Sequence, residues 1–167
     1  MFKTINGGKL PTKATKLSAA VDLYASADVV IKAGDTCKVP LGVCIDDDLL
    51  HKIICDLGCD FPEHWLQRHY LQLEPRSSLR AKGLIAGTGI IDLDFIGHEI
   101  MIIIHNPVTG INDCDKATCI CSPNATAYRI NKGEKIAQIM LCEHKSILLG
   151  IKSDTERTNG FGSTGDK

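Results

Sequence analysis

The sequence predicts an all-β chain, packed as a sandwich or jelly roll, with one or two short helices. Three observations lead there. Most apolar runs alternate with polar residues at a period of two, turn residues punctuate them at short intervals, and helical periodicity is confined to a single stretch of any length. Taken in order, "VDLYASADVVIKAGDTCKVPLGVCI" (residues 21 to 45) alternates β-branched and polar residues around a turn at Ala33, Gly34 and Asp35. "DDDLLHKIICDL" (46 to 57) reads as a helix with acidic residues in its first turn, where the helix dipole favours them. "HYLQLE" alternates cleanly, and "SSLRAKG" suggests one helical turn. "HEIMIIIHN" and "KIAQIMLCEH" are the continuous apolar runs of buried strands. Two layers of sheet around one core are the natural packing for such a set, and no internal repeat or low-complexity linker divides the chain.

Composition bounds the function. At 167 residues, 44% hydrophobic and 23% charged, the chain is one ordinary globular domain with enough sequence for a hydrophobic core. A net charge of -1 supplies no field that would hold nucleic acid by counterion release, so phosphate binding must come from a local site and a small phosphorylated ligand suits better than a duplex. The opening "MFKTINGGKL" has no apolar segment of signal-peptide length, and no run approaches the ~20 apolar residues of a membrane span. The expectation is an intracellular protein that binds neither nucleic acid nor membrane.

Eight cysteines in such a chain read first as free thiols. Cys55 with Cys59, and Cys114 with Cys119 and Cys121, form two groups, but neither supplies the paired C-x2-C spacing of a structural zinc site. Reduced cysteines without stoichiometric metal are expected.

The end of the chain, "RTNGFGSTG" (157 to 165), has a phosphate-binding composition. Its glycines let the backbone wrap closely around a ligand, and Arg157, Ser163 and Thr164 add donors beside Gly162. Such a stretch alone would be read as a flexible terminus. Phe161 argues otherwise, because an aromatic ring in a solvated tail gains nothing unless it stacks, and a nucleobase is one partner for it.

With four further stretches, this tail resembles the five motifs of the trimeric dUTP pyrophosphatases, the dUTPases, in order across nearly the whole chain. "AAVDLYA" (19 to 25) is similar to the first motif, "PRSSLRAKG" (75 to 83) to the second and "GTGIIDLDFIGHE" (87 to 99) to the third. "NKGEKIAQI" (131 to 139) and "RTNGFGSTG" are similar to the fourth and fifth. The resemblance implies a jelly roll of the dUTPase type over residues 1 to 156 and a flexible arm, 157 to 167, that closes over the active site. It implies a homotrimer with shared sites and hydrolysis of dUTP to dUMP and pyrophosphate with Mg²⁺, which keeps uracil out of DNA and supplies dUMP for dTMP synthesis.

Residue by residue, the resemblance assigns Asp92 as general base for the water that attacks the α-phosphorus. A turn aspartate can instead cap backbone, a role for which Asp94 is the better candidate. Backbone at Gly89 and Ile90 would pair with the uracil edge, and a tight pocket there would exclude the thymine methyl. Phe95 stands where the family usually has tyrosine against the deoxyribose, with a core ring as its plainer role. Phe161 would cover the base. Arg76, Ser77, Ser78, Gln138, Arg157, Gly162, Ser163 and Thr164 would meet the phosphates, and Asp22 would reach Mg²⁺ through water.

The departures are Ala20 for a usual glycine, Arg80 for a common alanine, Lys135 for a frequent arginine and Asn159-Gly160 for a glycine pair. Two insertions, around 46 to 61 and 107 to 126, hold both cysteine groups. They read as surface additions, of the kind tolerated at little cost, or as a docking surface for a protein partner. The related dCTP deaminases share an "RSSL...GL" stretch, but their deaminating glutamate would fall at Ile102 or Ile103, which excludes that chemistry.

Overall fold

In the computed structural model, residues 1–59, 61–108 and 127–151 are described; the arm from 157 and nearly all of the 107 to 126 insertion lie outside them. Strands dominate and pair antiparallel. The largest sheet runs in the order β2 (Thr12–Lys13), β3 (Val21–Tyr24), β12 (Lys135–Glu143), β7 (His69–Pro75), β9 (Gly89–Asp92). A second sheet joins β5 (Thr36–Pro40), β10 (Met101–His105) and β8 (Ile85–Ala86). Two ribbons complete the set: β1 (Phe2–Thr4) with β6 (Val43–Ile45), and β4 (Val29–Ile31) with β11 (Tyr128–Ile130).

Alternation explains how these pairings share one core. Along β7, Leu71 and Leu73 turn inward and meet Leu23 of β3, Ile139 of β12, and Ile102 and Ile104 of β10 in a single buried cluster. Along β7 each inward side chain alternates with a half-buried one, as a period of two dictates. The β5–β6 turn needs glycine for a steric reason: at Gly42, where φ is 64°, a Cβ would lie 2.4 Å from Gly8 Cα.

The helices hold the one substantial correction. Helix α1 (Asp47–Asp56) begins as its sequence predicts, with the Asp46 carboxylate accepting from the Leu49 amide at 3.0 Å. It is not a surface addition, however. Leu50 and Ile54, four apart on one face, are 1% and 0% exposed and belong to the core cluster. An insertion carrying its own amphipathic helix gains more by completing the core than by lying in water. A short helix α2 (Pro62–Leu66) follows that period-two reasoning passed over; Pro62 at its first turn was the available signal. Helix α3 (Ser77–Ala81) is the predicted turn, with Leu79 buried. After β12 the chain forms a 3-10 turn, Ser146–Leu149.

Among the described residues no helix is long and apolar enough to cross a membrane. Cys37, Cys44, Cys55, Cys59 and Cys142 are free thiols, whereas Cys114, Cys119 and Cys121 lie outside the described residues.

Candidate active site

Pairing register places Asp22, Gln138, Ile90 and Asp92 on one face of the five-stranded sheet. Directly opposed residues in antiparallel strands share a face. Asp22 opposes Gln138, Gln138 opposes Glu74, and two and four residues back along β7 come Gln72, opposite Ile90, and Tyr70, opposite Asp92. Asp22, Gln138, Ile90 and Asp92 therefore project to the outer side, away from Leu71 and Leu73. Gln138, a polar amide within the otherwise apolar "KIAQIML", takes an outward position between two carboxylate-bearing neighbours, Asp22 and Glu74.

That face carries two clusters. One is the hairpin after β9. The Phe95 amide donates to the Asp92 carbonyl at 3.1 Å and closes a four-residue turn, so the exposed Asp92 and Asp94 side chains stand at its start and its tip. β9 is the edge strand of its sheet, and its outer backbone edge has no further strand among the described residues. Gly89 has no left-handed φ, and a Cβ there would touch Leu73 only at an ordinary 3.8 Å. Neither strain nor crowding inside the chain calls for glycine at that position. Ile90 is 71% exposed beside it. Phe95 is 7% exposed, sits in the core cluster, and has its ring centroid 5.0 Å from that of His98. Burying a large apolar ring beneath the turn stabilises the hairpin, and that gain outweighs leaving it wet.

The second cluster is polar and lies where β3, β12 and the end of β7 meet. Asp22 is 5% exposed, and its two oxygens are taken separately: Arg76 donates to Oδ1, and Lys135 Nζ lies 2.9 Å from Oδ2. Burial alone would raise this carboxyl, but the hydrogen bonds from Lys135 and Arg76 together outweigh it and hold Asp22 below the usual carboxylate range. In return the Asp22 hydrogen bond raises Lys135 against a smaller desolvation effect. Tyr24, opposite Lys135, shares a hydroxyl hydrogen bond with Thr12, which is the main cause of its lowered pKa, and the Lys9 ammonium lies 4.2 Å from its ring centroid. Ser77 and Ser78 open α3 immediately after Arg76. Glu74, beside Gln138 in register, accepts from Gln72 at 3.1 Å and pairs with Arg80 at 3.7 Å.

The two clusters are not adjacent. Asp92 is level with Tyr70 and Gln138 with Glu74, four residues farther along β7 and two strand spacings across. At ~3.4 Å per residue and ~4.8 Å per strand, their Cα atoms are about 17 Å apart. Arg76 and Asp22 are farther still. What Asp92 does share is a cavity of about 990 Å³, walled by Asp47, Leu50 and His51 of α1, by His69 and Asp94, and by the 3-10 turn. Sequence reasoning named none of the histidines in that wall; nothing in their local spacing marks them, because α1, β7 and the segment after β12 bring them together only in the fold.

Among the described residues no group of three or more His, Cys, Asp or Glu is placed to hold a metal ion. Direct ligation by Asp22 does not fit, because two cations already answer its charge. Each carboxylate oxygen keeps a further lone pair, so accepting from a metal-bound water does fit. Arg157, Phe161, Gly162, Ser163 and Thr164 lie outside the described residues.

Comparison with known proteins gives this arrangement a lineage. The family model described as dUTPase matches residues 64–122. The deoxyuridine 5'-triphosphate nucleotidohydrolase of Rickettsia akari is 33% identical over 167 residues, covering 95% of this chain and 89% of that protein. The chain belongs to the dUTPase family. The Candida albicans dUTPase agrees, at 30% identity over 95% of this chain and 82% of its own length. Solved dUTPases share the fold: that of Streptococcus mutans superposes with a TM-score of 0.60 over 86% of this chain and 95% of its own, at 21% identity. An aspartate mutant from phage phi11 of S. aureus superposes at 0.61 over 98% of both chains, at 19% identity, and its structure was reported for the coordination of a structural Mg(II) ion. The fold is accordingly the jelly-roll β-fold of the dUTPases, and this dUTPase-family chain is a hydrolase.

Proposed function

We propose that this chain hydrolyses dUTP to dUMP and pyrophosphate. The observation that carries the reading is Asp92: an exposed carboxylate at the start of an edge-strand turn, opening on a large cavity, in a chain whose relatives bear the name dUTP nucleotidohydrolase over nearly their whole length. Asp92 accepts a proton from water, whose oxygen attacks the α-phosphorus; the bond from that phosphorus to the α–β bridging oxygen breaks, and pyrophosphate leaves with the bridging oxygen. The outer edge of β9 at Gly89 and Ile90 offers main-chain donors and acceptors to the uracil edge. Phe95 supports this hairpin from below.

Arg76, Ser77, Ser78 and Gln138 bind the phosphates. A general base works only within hydrogen-bond reach of its proton, and about 17 Å separates Asp92 from Gln138 in one chain. We therefore assign the site to a homotrimer in which the hairpin of one copy faces the β7–α3 and β12 cluster of another, with the arm carrying Arg157, Phe161, Gly162, Ser163 and Thr164 closing over the nucleotide. Mg²⁺ held with the triphosphate would supply neutralisation of phosphate charge. Asp22 reaches it only through water.

Pyrophosphate release from dUTP, dTTP, dCTP and UTP, with and without Mg²⁺, tests the reading. Strong preference for dUTP is expected; equal rates on dUTP and dTTP overturn it.

A further inference from the structure

Lys135 has no assigned part in this site, yet it is held there more firmly than a surface lysine should be. Its side chain is 44% exposed while its ammonium lies 2.9 Å from an oxygen of Asp22, whose own side chain is only 6% exposed. The other oxygen of the same carboxylate holds Arg76. Two cations thus share one buried anion, side by side, and Lys9 adds a third positive charge at 4.2 Å from the Tyr24 ring that Lys135 also approaches, at 5.8 Å. Asp22 leaves an uncompensated positive charge here. An ammonium has three donors, one of which Asp22 uses, and a guanidinium has five, so both groups keep donors for a second acceptor. Because the carboxylate fixes them beforehand, less side-chain freedom is lost when an anion arrives.

We propose that Lys135, anchored on Asp22 beside Arg76, is a phosphate-binding residue that grips the terminal phosphates of a nucleoside triphosphate. This rests on the reading of the site as a dUTP site. The ligand chemistry it recognises is a chain of linked phosphates with more than one charge, which a monophosphate lacks.

The test compares the full-length protein with Lys135→Met and Lys135→Arg, after thermal melts establish that both variants fold. Calorimetry at 150 mM salt measures binding of inorganic tripolyphosphate, α,β-imido-dUTP and dUMP. Loss of one charge-assisted hydrogen bond should weaken tripolyphosphate and the dUTP analogue by about 10-fold in Lys135→Met. Binding of dUMP should change by less than about twofold, and Lys135→Arg should stay within about threefold of the parent because it keeps the charge. With dUTP as substrate, KM should rise and kcat should hold within about threefold. Lys135→Met binding tripolyphosphate as tightly as the parent overturns the proposal, as does an equal loss for all three ligands, which would mark a structural effect. A parent protein that binds α,β-imido-dUTP no better than its UTP counterpart instead overturns the dUTP reading, so the two failures are distinguishable.

Discussion

Replacing Ile54 by alanine tests whether helix α1 belongs to the core. Ile54 is fully buried among core side chains on the same face as Leu50. The change deletes three carbons, a loss of about 2.4 kcal/mol at ~0.8 kcal/mol per methylene. The cavity left behind adds about 24 cal/mol per Å³ that does not collapse, so the total should fall near 3 to 4 kcal/mol, within the usual range for such truncations. For a chain of this length each kcal/mol moves the melting temperature by about 2–4 °C, which predicts a fall of roughly 10 °C. Leu57, just past the helix and 64% exposed, is the control: Leu57→Ala should cost under about 0.5 kcal/mol and shift melting by no more than about 2 °C. Melts would be recorded by circular dichroism at equal chain concentration, since an oligomer's stability depends on it. If Ile54→Ala melts within about 2 °C of the parent, the helix is a peripheral addition after all and its part in walling the Asp92 cavity falls with it.

Asp92→Asn should keep nucleotide binding but lower turnover by about 10²-fold or more, whereas Asp94→Asn should cost stability more than chemistry; swapped phenotypes in steady-state assays and melts would mean the wrong carboxylate has been named. The folded-state pKa of Asp22 is depressed, so its contribution to stability is fully present above the unfolded value near ~3.9 and is lost as pH falls through the lower folded value. The stability gap between the parent and Asp22→Asn should therefore hold from pH 7 down to about pH 5 and narrow below about pH 4; urea melts showing a gap that ignores pH would refute this. Truncation before Arg157 should leave a folded protein that binds dUTP weakly and turns over slowly, and calorimetry showing parental affinity would remove the arm from the site.

Much of this molecule was legible in its sequence because two signals, period-two alternation and turn punctuation, are local. The run from residue 21 to 45 resolves into β3, β4, β5 and β6 with the turn at Gly34, and α1 carries the acidic Asp47 and Asp48 in its first turn as read. What escaped was non-local. The apolar face of α1 carried Leu50 and Ile54 in plain view, but periodicity says only that a face is apolar, not which surface receives it. Phe95 was ambiguous for the same reason: a ring fits a sugar or a core equally well as composition, and within one chain the fold packs it into the core cluster at 7% exposure.

The paired cations on Asp22 show where motif reading stops and register begins. Asp22, Arg76 and Lys135 come from three separated stretches, and each alone has a plain reading as a strand-end acid, a residue before a helical turn, and a strand-start base. Only the pairing of β3 with β12, and of β12 with β7, puts them around one carboxylate. The same register sets Asp92 at the far end of β7, where no side chain of that cluster reaches it. On the proposed reading, the two halves of the site lie at separate places on one sheet of a single chain. The proposed site accordingly requires association of copies, with the edge of β9 meeting the ligand and another chain closing the site.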